Sequence, residues 1–88
     1  MVKSGNPLRV NVLFFASYAD IAGRESLELS VHPPATVADV VRRVRETVPG
    51  AERIPARPLT ALNQQHVKPE ASVADGDEVA LLPPMAGG

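Results

Sequence analysis

From Leu8 to Ala16 (LRVNVLFFA) the chain alternates: Leu8, Val10, Val12, Phe14 and Ala16 share one face, and Arg9, Asn11, Leu13 and Phe15 share the other. A period of two residues predicts a strand, here with a second face that begins polar and ends apolar. Tyr18–Ala22 offers one or two helical turns, stopped by Gly23 as a C-terminal cap. Ser26–Val31 alternates again, with Leu27, Leu29 and Val31 in one row, and predicts a second strand. His32-Pro33-Pro34-Ala35 breaks the pattern. Thr36 with Asp39 then has the form of a weak capping box. Val37, Val40, Val41, Val44 and Val48 recur at helical spacing, with Asp39, Arg42, Arg43, Arg45 and Glu46 opposite. Valine is a mediocre helix former, so this helix depends on laying its stripe on a sheet. The arginines read as a solvated face, and Pro49-Gly50 ends the helix.

Ala51–Pro58 reads as an irregular, proline-punctuated loop, Leu59–Leu62 as a short strand and Gln65–Val67 as a shorter one. Ala74-Asp75-Gly76-Asp77 is a tight turn before a last strand, Glu78–Leu82. The order predicts an α+β domain: one mixed sheet of four to five strands with a single main helix across one face. Residues 1–7 read as a flexible leader, 8–82 as the domain and 83–88 as a projecting tail. The other sheet face is left uncovered. With Phe14 and Leu81 in the core, alternation puts Phe15 and Leu82 on that open face, where they read as a docking patch at the root of the tail.

Composition narrows the function classes. At 88 residues, 44% hydrophobic and 22% charged, the chain is one ordinary globular domain. A net charge of −1 supplies no field for nucleic acid or anionic membrane. The absence of cysteine removes disulfides, thiol nucleophiles and cysteine-rich zinc sites. The longest apolar run, Val12 to Ala16, is far short of the ~20 residues a membrane helix needs. A cytoplasmic protein is the expectation.

As an enzyme on its own the sequence is poor. His32 and His66 stand apart without a metal-binding motif, and both read first as loop or strand residues. Gly23, Gly50 and Gly76 sit singly, so no phosphate loop exists, and no serine lies in a Gly-x-Ser-x-Gly elbow. Asp75, Asp77 and Glu78 cluster at a turn and read as turn formers.

The C-terminal stretch LLPPMAGG is different. Pro83 cannot donate a ladder hydrogen bond, so the strand stops there, and Pro84 extends the break. In a polyproline conformation the segment Pro83, Pro84, Met85, Ala86, Gly87, Gly88 spans ~18 Å, enough to enter another protein's active site. Gly87 and Gly88 lack Cβ atoms, so the last peptides fit a narrow channel and the terminal carbonyl is open to a nucleophile once activated. The competing reading is a floppy, inert tail.

Three blocks, VNVLFFASYADIAG, ALNQQHV and DGDEVALLPPMAGG, together resemble the family of small, sulfur-carrying subunits of molybdopterin synthase. The resemblance runs from Leu8 to Gly88. It implies a ubiquitin-like β-grasp fold. It further implies that a ubiquitin-activating-type adenylyltransferase uses ATP to adenylate Gly88, and that a sulfurtransferase supplies the sulfur of a thiocarboxylate. The tail then enters the large synthase subunit, where sulfur passes to cyclic pyranopterin monophosphate; two carriers flank a dimer of large subunits. No cofactor is expected on the isolated domain. By motif, the partner-binding positions fall on Phe15, His66 and Leu82, His66 standing where the family often has an apolar residue. A sulfur carrier for thiazole or cysteine formation, and a ubiquitin-like protein modifier joined through Gly88, remain alternatives.

Overall fold

The computed structural model describes residues 6–84. Five strands form one mixed sheet: β1 (Leu8–Phe14), β2 (Ser26–Val31), β3 (Leu59–Leu62), β4 (Gln65–Val67) and β5 (Glu78–Leu82). Their order across the sheet is β2-β1-β5-β3-β4. Only β1 and β5 run parallel; β1–β2, β3–β5 and β3–β4 are antiparallel. A short helix α1 (Ser17–Ala22) follows β1, and the main helix α2 (Val37–Thr47) follows β2.

The alternation of β1 resolves as read from the sequence. Val10, Val12 and Phe14 are buried, as are Val79 and Leu81 of the adjacent β5. Against this row α2 lays Val37, Val40, Val41 and Val44, three of them with no exposed surface. Tertiary burial thus offsets the poor helix propensity of valine. The start of α2 is a full capping box. Asp39 N–H donates to Thr36 Oγ1 at 3.2 Å, and Thr36 N–H donates to Asp39 Oδ2 at 2.8 Å. Arg42 donates to the other Asp39 oxygen at 2.7 Å.

Those bonds to the ionised carboxylate, the Thr36 amide first and Arg42 next, hold the Asp39 pKa below its ordinary value. A lowered folded-state pKa contributes stability that is present above the unfolded-state value, near 3.8, and lost as pH falls through the folded one. Asp39→Asn is therefore expected to cost about 1 kcal/mol at neutral pH. The gap from the wild type should narrow below about pH 4 in acid melts, and a gap constant down to pH 2 would contradict this assignment.

Three segments differ from the sequence reading. Ala16 is not the last inward strand residue: β1 ends at Phe14, and Ala16 is exposed with φ 51° and ψ −127°. A non-glycine residue in this region stores backbone strain, and the turn it makes swings the chain from the end of β1 into α1. The loop after α2 is also not irregular throughout. Ala51–Arg53 forms a 3₁₀ turn whose Ala51, with Ile54 behind it, is fully buried. Nor is Arg45 merely solvated. Its Nε donates to the Ile54 carbonyl at 2.7 Å and a terminal nitrogen to that of Glu52 at 3.2 Å, clamping the turn to the end of α2. Ile54→Ala should lower stability by about 3 kcal/mol, read by denaturant melts; a change under about 1 kcal/mol would mean that Ile54 is not a core anchor.

The turn carboxylates are structural, as read. Asp75 Oδ1 accepts from Arg9 N–H at 2.8 Å, Asp77 Oδ2 from Ala74 N–H at 2.8 Å, and Asp77 Oδ1 from the Asn63 amide at 3.0 Å. This turn lies at the start of β5, the end of the sheet away from Pro83.

Candidate functional site

The site is assembled by register. Phe14 lies beside Leu81 in the parallel β1–β5 pair, and Phe15 N–H continues the ladder to the Leu81 carbonyl at 3.3 Å. Phe15 and Leu82 therefore sit next to each other on the face opposite α2. Leu59 lies directly across from Leu82 in the β3–β5 pair. One register step back, Leu13, Ala80, Ala61 and His66 form a single row across β1, β5, β3 and β4.

An apolar patch results. Ala61 and Ala80 are its buried floor, and Leu13, Phe15, Leu59 and Leu82 are its rim. Among the described residues the two large apolar side chains called exposed are both here, Phe15 at 44% and Leu59 at 51%. Ordinary surfaces carry single exposed leucines; two such residues beside a half-buried third, at one end of one sheet face, form a contiguous sticky area. The polar residues of this face, Arg9, Asn11, Glu28 and Glu78, lie at its other end. Pro83 and Pro84 leave directly from the apolar end, Pro83 half-buried and Pro84 exposed.

The residues named from sequence are thus placed as follows. Phe15, Leu82 and His66 share the open face, with Phe15 and Leu82 adjacent and the exposed His66 at its β4 margin, beside Ala61. Met85, Ala86, Gly87 and Gly88 lie outside the described residues. Leu59 was missed. Its strand, LTAL, has a leucine on each face, and only the pairing with β5 shows which one faces out. His32 is an exposed loop residue, and no three His, Cys, Asp or Glu side chains among the described residues converge on a metal position. No described helix is long and apolar enough to cross a membrane. Tyr18, beneath the patch-bearing end of β1, is buried, and that burial pushes its phenol pKa up, so it stays neutral. Nothing at the patch is a nucleophile or acid–base pair. What the described residues present here is an apolar surface beside Pro83 and Pro84.

A mixed five-strand sheet curled over one main helix, with parallel first and last strands and the chain leaving from the last, is a ubiquitin-like β-grasp domain. It superimposes on SAMP1 of Haloferax volcanii with a TM-score of 0.80 at 26% identity, covering 91% of this chain and 99% of that one. The model of the ThiS family matches residues 12–88, so the chain belongs to that family. Among its relatives, the molybdopterin synthase sulfur carrier subunit of Aedes aegypti is 35% identical, over 98% of this chain and 95% of that protein. The protein of the same description from Chlamydomonas reinhardtii is 31% identical, over 92% of this chain and all of its own length.

Proposed function

We propose that this protein is the sulfur carrier subunit of a molybdopterin synthase, and that Gly88 carries the sulfur. What supports this reading is the apolar patch of Phe15, Leu59 and Leu82 at the point where the chain turns toward its Gly-Gly sequence, in a member of a family whose relatives bear that description. The domain supplies docking and reach, and its partners supply the chemistry.

A carboxylate is a poor electrophile. On an activating enzyme the Gly88 carboxylate attacks the α-phosphorus of ATP, pyrophosphate leaves, and an acyl-adenylate forms. A sulfide equivalent from a sulfurtransferase then displaces AMP and leaves a thiocarboxylate. In the large subunit this sulfur passes to cyclic pyranopterin monophosphate, and water restores the carboxylate. Phe15, Leu59 and Leu82 dock on each partner in turn, with His66 at the margin of the contact. Glycine at 87 and 88 lets the tail enter without side-chain clash. The isolated domain holds no cofactor in this scheme, and ATP is consumed on the activating enzyme.

The test is complementation. The chain should restore molybdopterin formation in cells that lack their own sulfur carrier subunit but retain the large subunit and activating enzyme. Failure to restore it, with the protein present and folded, would reject the pathway. The likeness to SAMP1, described as small archaeal modifier protein 1, favours a second reading, a modifier that forms an isopeptide bond through Gly88. A carrier for thiazole or cysteine formation would use the same tail chemistry with a different acceptor.

A further inference from the structure

We propose that the outer edge of β2 is a second docking site, separate from the apolar patch, which takes an extended and acidic segment of a partner protein as a sixth strand of the sheet. β2 is the end strand in the order β2-β1-β5-β3-β4. Phe14 N–H donates to the Glu25 carbonyl at 2.9 Å, which sets the alternation of the β1–β2 ladder. Leu27, Leu29 and Val31 turn their backbone groups inward to β1. Ser26, Glu28 and Ser30, all exposed, aim their N–H and C=O groups away from the sheet.

Exposed edges are normally blunted by proline, lysine or brevity. The opposite edge is: β4 has 3 residues and runs into Lys68-Pro69. β2 meets prolines only after His32, at Pro33 and Pro34, and its 6 residues hold an unbroken register with neither proline nor lysine among them; an edge of this length is a template for strand addition.

A second observation says what such a strand would meet. Beside this edge, between β2 and α2, lies a cleft of about 590 Å³ whose lining includes Val31, Ala35, His32, Arg42, Arg43 and Glu46. Val31 and Ala35 are buried and form its apolar floor. A strand paired to β2 sends every second side chain toward this cleft. On its rim Arg42 is occupied by Asp39, whereas Arg43 is exposed and makes no ion pair among the described residues. An aliphatic residue over the floor and an Asp or Glu toward Arg43 complete the fit.

A second copy of this chain fits poorly. Two-fold antiparallel pairing of β2 on itself, centred on the strand, sets Glu28 against Glu28 and brings both copies' Arg42 and Arg43 to one seam.

The inference does not rest on sulfur transfer and is read separately from it. The experiment is an amide NMR titration of the whole chain with short blocked peptides that carry valine or isoleucine and, two residues on, aspartate on one face, with threonine at the positions between, and with matched peptides carrying lysine for aspartate. The acidic peptides should shift the amides of Ser26, Glu28, Ser30, Val31 and Arg43 and saturate below ~1 mM. Glu28→Pro should abolish binding, because it removes an outward N–H without touching the β1 ladder. Arg43→Glu should weaken the acidic peptides about tenfold and favour the lysine ones, and it carries the test if Glu28→Pro melts early. The proposal is overturned by no β2 shifts up to ~2 mM peptide, by shifts centred on Phe15 and Leu59, or by concentration-dependent β2 shifts without peptide, which would mean self-association.

Discussion

Deleting Gly88, or adding one residue after it, is expected to reduce sulfur transfer to background while leaving the fold intact. On the proposed mechanism the extended chain buries the reactive carboxylate in a peptide bond, and the shortened one withdraws it by a residue from the active site it would enter end-on. Neither change touches the β-grasp core, whose last member is Leu81. Stability should therefore move by less than about 0.5 kcal/mol. Sulfur transfer in a reconstituted synthase and a thermal melt read the two effects independently. An extended protein that still delivers sulfur without being trimmed would remove Gly88 from the mechanism.

Charging the patch should separate binding from stability in the same way. Phe15→Arg and Leu59→Arg each place a cation where the proposed docking requires an apolar surface. Each should weaken the large-subunit complex by at least about 2 kcal/mol, roughly thirtyfold in Kd by calorimetry. Phe15 and Leu59 are 44% and 51% exposed, so the melting temperature should hardly change. The contrast is Val79→Arg, one residue from the open-face Ala80 but fully buried, which should unfold the domain. If Phe15→Arg melts as badly as Val79→Arg while binding per folded molecule is unchanged, the patch is structural and the docking account fails.

Much of this was legible in the sequence because period and burial agree. The β1 alternation, the valine stripe of α2 and the Thr36–Asp39 box each bury or satisfy what a local pattern says they should. The site was legible where parity is unambiguous: Phe15 follows the buried Phe14, and Leu82 follows the buried Leu81, so the outward member is fixed once the inward one is known. Leu59 was not, since Leu62 competes for the same assignment until β5 fixes the register. The Ala51–Ile54 segment was hidden for another reason. Its turn is held by Arg45 from a different element and it packs against α1 and α2, none of which local periodicity reports. The strained turn at Ala16 was invisible too, because alanine carries no signal for positive φ.

The most direct measurement is the intact mass of the protein isolated from its native host, before any reducing or alkylating step. The account predicts a fraction heavier by the exchange of one oxygen for sulfur, with fragmentation that places the change on Gly88, and the fraction should vanish when the activating enzyme is absent. A population in which Gly88 is instead joined to lysines of other proteins, with no thiocarboxylate at any stage of growth, would contradict it and make this domain a modifier.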